Sequence, residues 1–384
     1  MKDLRPALES RRRAGLWRAH RCLQSAQGPE VVIDGRRLLN FSSNDYLGLA
    51  ADPRLARALG EAAGRWGTGA GSAHLVSGHA APHRALEEAL AEFTGYPRVL
   101  LFSSGYLANL AVPRVLLGRG DTLIQDRLDH ASLVDAARLA GARLRRYRHN
   151  DLAGARRRLE QAQGETLLAV DGVFSMDGDL APLPGLAALC REHGAWLMVD
   201  DAHGLGVLGE AGRGSLEHWG LSPREVPILM GTFGKALGTA GAFVAGSEDF
   251  IETLIQEART YLFTTAAPPA LAEVTRLALE LVQHESWRRA RLQELVSRFR
   301  AGARRLGLPL VESFTPIQPL IAGGSERALQ WSRHLRDRGI LAVPIRPPTV
   351  PQGTARLRLT ITAAHTPAQV DRLLEALAEL PHED

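Results

Sequence analysis

Lysine is almost missing from this chain. Only Lys2 and Lys235 occur in 384 residues, and arginine supplies every other permanent positive charge. Cysteine is equally scarce. Cys22 and Cys190 lie far apart with no paired spacing, which argues against a disulfide framework and fits a reducing compartment. No apolar run approaches the ~20 residues that a membrane span needs. The first residues are charged, and no apolar stretch there suggests a signal peptide. Together these absences predict a cytoplasmic protein. No nucleic-acid recognition motif accompanies the basic clusters Arg11-Arg12-Arg13 and Arg143, Arg145, Arg146, Arg148. Such clusters suit a solvated face or an acidic partner such as a phosphorylated carrier.

What is present is an ordinary globular composition: 45% apolar, 23% charged, net charge +4. The length allows two or three domains around a large core. Against this background Lys235 stands out. Arginine keeps its proton at any working pH and cannot form a Schiff base, whereas lysine with a lowered pKa can. Small residues and glycines surround it in Met230-Gly231-Thr232-Phe233-Gly234-Lys235-Ala236-Leu237-Gly238, and the apolar Ile228–Met230 leads in as a buried strand would. The plain alternative is a surface lysine in a glycine turn.

Along the chain, an arginine-rich N-terminal helix precedes two short strands, Val31–Ile33 and Arg37–Leu39, joined by the turn formers Asp34-Gly35. Asn40 to Leu49 mixes turn-forming polar residues with aromatics, as a site-lining loop does. The glycine-rich Gly67–Ser72 lacks dinucleotide-fingerprint spacing. His79, His83 and Glu87 are spaced four apart, but Pro82 should start the helix and leave His79 in the loop, so no metal site is expected there. From about residue 83 to 265, short apolar strands alternate with amphipathic helices. That pattern predicts a mostly parallel sheet covered on both faces. Ligands in such sheets bind beyond the carboxyl ends of the strands. Ser104-Gly105-Tyr106, Asp126 to His130, Ser175, Asp200 to His203 and Thr232 to Lys235 all fall at such ends. A smaller α+β unit follows the helices at about 269–283 and 286–306.

These strand-end residues carry chemistry. A buried Asp200 is costly without a cation. A protonated pyridine nitrogen is such a cation, although Asp200 and His203 could equally be a metal pair or a hydrolase dyad. Ser103–Tyr106 offers a strand-to-helix turn to a phosphate, or simply caps a helix. Ser175 and Thr232 could add hydroxyls to that phosphate, or be turn residues. His130 could lie against an aromatic ring and move protons near neutral pH, or cap the next helix.

A lysine, a carboxylate for a ring nitrogen, a phosphate-binding turn and a stacking histidine describe a pyridoxal-phosphate enzyme. The runs Asn44–Leu49, Ser104-Gly105-Tyr106, Gly172–Gly178, Asp200–Gly204 and Thr232–Lys235 resemble the α-oxoamine synthases, in the same order and over about residues 10–375. Asp171 departs from the pattern, since family members often have Glu there. The resemblance implies a fold-type I pyridoxal-phosphate transferase: a three-layer α/β/α large domain with a mostly parallel sheet, and a smaller α+β C-terminal domain. The expected boundaries are an arm over 1–42, a large domain over 43–283 and a small domain over 284–384.

The resemblance also implies a homodimer that joins an amino acid to an acyl thioester with loss of carbon dioxide. Phe41–Gly48 and Ile345–Pro351 are most similar to the branch serving biotin synthesis. That branch uses L-alanine and a pimeloyl thioester of coenzyme A or an acyl carrier protein. A sibling condensing glycine with acetyl-CoA is the alternative within the family, and an inactive interaction protein the alternative outside it. By the same resemblance Lys235 anchors pyridoxal phosphate and acts as base, Asp200 meets the ring nitrogen and His203 the ring hydroxyl. Gly105, Tyr106, Ser175 and Thr232 hold the cofactor, and Thr264 reaches the partner subunit's phosphate. His130 assists proton movement beside the substrate, Arg358 binds the amino-acid carboxylate, Thr349 holds bound substrate, and Arg18 meets the acyl group, with Arg21 as its competitor.

Overall fold

The computed structural model describes residues 1–381 as two compact units. One comprises 49–175 and 180–289; the other comprises 1–48, 176–179 and the described residues from 290 onward.

The first unit is built on a seven-stranded sheet. Its strands run in the spatial order Arg98–Phe102, Ala242–Gly246, Ile228–Thr232, Trp196–Asp200, Thr166–Asp171, Thr122–Asp126 and Arg143–Tyr147. Only Ala242–Gly246 is antiparallel to its neighbours. The interior strands are short and apolar, and every residue of Thr166–Asp171 and of Ala242–Gly246 is buried. Strands covered on both faces read this way, whereas an open face would force alternation with polar residues. Arg143–Tyr147 is the exception at the edge: exposed Arg143 and Arg145 alternate with half-buried Leu144 and Arg146, as one open face requires.

Local chemistry sets the helix ends. Ser104 Oγ accepts from the Leu107 N–H to start Gly105–Leu116, and Asp52 Oδ1 accepts from the Arg54 N–H to start Pro53–Trp66. Gly141 and Gly194 end helices in the left-handed conformation, where a Cβ would be strained. The core between the sheet and one helical layer includes Leu123, Leu133, Met198, Met230 and Ile251, all essentially inaccessible.

The second unit holds two three-stranded sheets. In the first, Glu30–Ile33 and Arg36–Asn40 form a hairpin, with Asp34 at φ 51° and Gly35 at φ 71°. Two positive φ values are what a two-residue hairpin turn with right-handed strand twist demands. Ile340–Leu341 joins this hairpin in parallel. In the second sheet, Ala355–Thr360 pairs antiparallel with both Ile317–Gly323 and Val343–Ile345. The helix Pro367–Ala378 opens with a reciprocal capping box between Thr366 and Gln369. No helix among the described residues is long and apolar enough to cross a membrane.

Candidate active site

Each functional side chain of the seven-stranded unit sits where an apolar strand stops. Trp196–Asp200 ends in Asp200, 6% exposed, with Asp201 and His203 in the turn beyond. Two hydrogen bonds fix the Asp200 carboxylate: Oδ1 accepts from the Ala202 N–H at 3.0 Å and Oδ2 from Asn109 Nδ2 at 2.7 Å. The adjacent strand Ile228–Thr232 leads into Lys235, whose Nζ lies 3.0 Å from His203 Nε2. The sequence-predicted pair Lys235 and His203 is therefore in direct contact.

His130 caps the helix Ala131–Ala140 and keeps its ring on the exposed side. Its Nδ1 accepts from the Ser132 N–H at 3.3 Å and lies 2.7 Å from Ser132 Oγ. Nδ1 must therefore carry the lone pair, and Ser132 Oγ donates to it. Ser132 Oγ in turn accepts from Asn109 Nδ2 at 2.9 Å. One amide, Asn109, thus links Ser132, and through it His130, to Asp200. Sequence reading passed over Asn109 and Ser132, because a lone amide in a helix and a serine near a helix start usually have local roles. The one available signal was that both fall within a turn or two of strand-end residues.

Behind His130 lies a group of buried acids. Asp171 Oδ1 accepts from the His130 N–H at 3.3 Å, and Asp129 Oδ1 accepts from the Asp171 N–H at 3.0 Å. Burial, and then the charge of Asp200, hold the Asp171 carboxyl well above the usual range. Burial, and then the charge of Asp171, do the same to Asp129. Asp201 is fully buried against Ser215, whose N–H donates to Oδ2 at 2.7 Å and whose hydroxyl donates to Oδ1. Burial raises its pKa to about 7, against the lowering effect of those bonds.

The cofactor-binding expectation can be tested on these residues. Thr232 Oγ1 is buried and has no hydrogen-bond partner among the described residues. Gly105 opens the twelve-residue helix Gly105–Leu116, and a Cβ there would come within 2.7 Å of Thr232 Cγ2. An orphaned hydroxyl beside a side-chain-free helix N-terminus is a cradle for an anionic group. With an amine at Lys235 and a carboxylate at Asp200, the set fits a phosphorylated pyridine aldehyde. Tyr106 is 43% exposed and its hydroxyl lies 2.5 Å from Asp135 Oδ2, which raises its pKa. Ser175 lies in the turn after Thr166–Asp171, and Thr264 follows the short helix Arg259–Leu262.

The remaining predicted residues belong to the other compact unit. Arg358, on the strand Ala355–Thr360, is 8% exposed. Its NH1 donates to Asn44 Oδ1 and Thr360 Oγ1, each at 3.0 Å, and its NH2 lies 3.5 Å from the Tyr46 hydroxyl. Two residues of the loop Asn40–Leu49 thus brace the buried guanidinium. Arg18 NH2 donates to Thr349 Oγ1 at 3.1 Å. Nearby, Arg346 donates to the carbonyls of Gly15 and Trp17, tying the N-terminal segment down. These residues line a cleft of about 570 Å³ with Arg21 and Arg336. Burial, and then Arg18 and Arg21, lower the Arg346 pKa, a sign of crowded positive charge.

Comparison with known proteins agrees with this chemistry. Residues 36–377 match the family described as aminotransferase class I and II. An 8-amino-7-oxononanoate synthase from Stutzerimonas stutzeri is 62% identical over 377 residues, covering 98% of this chain and 96% of that protein. One from Thioalkalivibrio sulfidiphilus is 61% identical, covering 98% and 97%. Among solved structures, a Sphingomonas wittichii serine palmitoyltransferase superposes with a TM-score of 0.93 at 31% identity, over 98% of this chain and 96% of that one. An 8-amino-7-oxononanoate synthase from Francisella tularensis gives 0.79 at 31% identity, over 89% and 97%. The chain belongs to the class I and II aminotransferase family, among its 8-amino-7-oxononanoate synthase relatives.

Proposed function

We propose that this chain condenses L-alanine with a pimeloyl thioester, releasing carbon dioxide and free thiol and forming 8-amino-7-oxononanoate for biotin synthesis. The observation that carries the reading is the meeting at 3.0 Å of His203 Nε2, in the turn after the strand that ends in the clamped Asp200, and Lys235 Nζ, which follows the neighbouring strand. Pyridoxal phosphate, when bound, supplies an aldehyde that captures amino groups and a protonated ring that withdraws electrons from the carbon beside them.

The chain's own residues do the rest. Lys235 Nζ would anchor the cofactor and would serve as the base for the proton on the alanine Cα. His203, which meets Nζ, would pair with the ring hydroxyl. Asp200 would meet the ring nitrogen, and its two donors hold the carboxyl group rigidly in place. Gly105, Tyr106, Ser175 and Thr232 would hold the phosphate side, and His130 would stand beside the ring, with its Nδ1 tied to Ser132 and Nε2 left to move a proton. Arg358 takes the alanine carboxylate through a two-pronged guanidinium. Arg18 and Thr349, in a cleft rich in guanidinium groups, receive the anionic acyl donor. The working form is a cytoplasmic homodimer in which Thr264 reaches the partner subunit's cofactor phosphate.

Rates with alanine or glycine, each paired with pimeloyl-CoA or acetyl-CoA, test this reading. Alanine with pimeloyl-CoA should give the highest specificity. A pimeloyl chain buries methylenes worth about 0.8 kcal/mol each, which acetyl lacks. A preference for glycine with acetyl-CoA would replace the proposed substrates while keeping the chemistry.

A further inference from the structure

Outside the strand-end site, three imidazoles converge in the seven-stranded unit. His74, His79 and His83 have ring centroids 5.3, 5.1 and 5.5 Å apart, a nearly equilateral triangle. One ring nitrogen from each lies within 4.8 Å of those of the other two, and among the described residues this is the one such group of three metal-ligating side chains. The proline-started helix does begin at Ala81 and leaves His79 outside it. The loop before it nevertheless brings His79 back. Residues His74–Gly78 form a single π turn, closed by the Gly78 N–H donating to the Ala73 carbonyl at 3.0 Å. A Cβ on Gly78 would fall 2.1 Å from the Ser72 oxygen, so only glycine permits so tight a turn. Residues one π turn apart point the same way, and His74 Nδ1 meets His79 Nδ1 at 3.0 Å.

Two of the three rings, His83 and His79, are backed by an oxygen as metal-bound histidines are. His83 Nδ1 accepts from the Ala80 N–H at 3.0 Å, so the proton is on Nε2, which donates to the Ala267 carbonyl at 2.8 Å. That leaves the His83 lone pair on Nδ1. The Glu87 carboxylate lies 3.7 Å from His79 Nε2, on the side away from His74. His74 is stacked on Tyr261, with centroids 4.8 Å apart, which fixes its plane. A carbonyl or carboxylate behind each ligating imidazole is the usual supporting arrangement. Tetrahedral nitrogen ligands at ~2.0 Å from zinc are about 3.3 Å apart. His74 and His79 already match that spacing. The widest of the three separations is within 4.8 Å, and on binding the ion would take the place of the Ala80 N–H on the His83 Nδ1 lone pair.

We infer that His74, His79 and His83 bind one first-row divalent cation of the zinc class, with water completing the coordination and Glu87 and the Ala267 carbonyl as supports. Imidazole nitrogens favour Zn²⁺, Co²⁺ or Ni²⁺ over Mg²⁺ or Ca²⁺. The site is distinct from the strand-end chemistry and asks nothing of it.

The test uses tag-free holoenzyme, dialysed against chelator and then titrated with Zn²⁺ in competition with a chromogenic chelator, and separately with Co²⁺. The expected results are one Zn²⁺ per chain, a tetrahedral Co²⁺ absorption band in the visible, and a thermal midpoint raised by Zn²⁺. His79→Ala, on the exposed loop, should fold, keep its cofactor absorbance and bind Zn²⁺ at least about tenfold more weakly. It should also lose the Zn²⁺-dependent rise in midpoint. Zn²⁺ uptake equal in wild type and His79→Ala, or an octahedral cobalt spectrum, overturns the inference.

Discussion

The two compact units hold their functional residues in different ways. In the seven-stranded unit, Asp200, Asp201 and His203 are nearly inaccessible, and backbone N–H groups or buried side chains hold the two acids. In the other, Thr349 is exposed and meets Arg18, itself exposed, through one side-chain bond on an arm tied down by Arg346. Arg358 lies between these extremes, buried and braced by the side chains of Asn44 and Thr360. Buried, backbone-held groups lose much when changed, because an unpaired partner stays behind in low dielectric. Exposed pairs lose little, because water replaces the partner. Asp200, Asp201 and His203 belong to the first class, and Arg18 and Thr349, predicted to meet the acyl donor, belong to the second.

The largest expected effect is at Lys235. Lys235→Ala removes the anchor and the base together, two roles that arginine cannot fill. Turnover should vanish while the far-ultraviolet spectrum and thermal unfolding stay close to wild type. Borohydride should fix cofactor to a Lys235 peptide in wild type and to nothing in the variant. Product formation by the variant near the wild-type rate would remove Lys235 from the mechanism.

Next comes Asp200→Asn. An amide can still bond to Asn109 or Ala202, but it offers the ring nitrogen no negative charge. Stripping a buried charge of its partner costs ~3–5 kcal/mol, and about 1.4 kcal/mol is tenfold in rate. A fall in kcat of two to three orders of magnitude is expected, with cofactor still bound. A loss of only a fewfold would mean that Asp200 does not face the ring.

Arg358→Ala should act on alanine alone. A charge-assisted bond to a carboxylate contributes about 1.5–3 kcal/mol, so KM for alanine should rise roughly 10- to 150-fold. KM for the acyl donor should stay nearly constant. Equal changes in both constants would show that the guanidinium braces the loop of Asn44 and Tyr46 rather than holding substrate.

The ease of reading these residues follows the same division. Strand ends are legible because wholly apolar strands stop abruptly at polar residues, so Asp200, Thr232 and Lys235 could be placed from the sequence. The Asp34-Gly35 hairpin was legible because positive φ restricts composition. Asn109 and Ser132 were not, since their role is a bond made across the fold. His74 was hidden for another reason: five-residue spacing matches neither helix nor strand, and only the π turn brings it to His79. Arg18 could be separated from Arg21 only by contact, because both lie in the same short arm and line the same cleft.

Asp201 gives a smaller effect, read in stability rather than in rate. Its folded pKa of about 7 lies above the ordinary 3.8. Between those values the folded chain holds a proton that the unfolded chain has released. This carboxyl therefore favours folding most at low pH, and its contribution is lost as pH rises from about 4 to about 7. Asp201→Asn keeps an oxygen for the Ser215 N–H and removes the titration. Denaturant unfolding measured across that range should show a shallower decline for the variant. An unchanged pH slope would place the titration elsewhere.

The smallest expected effect, at Arg18, also tests the division most sharply. The Arg18–Thr349 bond is exposed, and such contacts contribute only about 0–1 kcal/mol. Thr349→Val should therefore leave stability unchanged. If Arg18 meets the acyl donor, Arg18→Ala should raise KM for pimeloyl-CoA several-fold, with KM for alanine unchanged and a weaker dependence on salt. Arg21 lines the same cleft, and burial followed by the charge of Arg336 lowers its pKa, so it is the internal comparison. Arg21→Ala should move the donor KM less than Arg18→Ala does. The reverse order would transfer the donor contact to Arg21 and leave Arg18 as a tether for Thr349. Equal, additive losses would instead show that the cleft works as a diffuse positive field, with no single arginine singled out by the substrate.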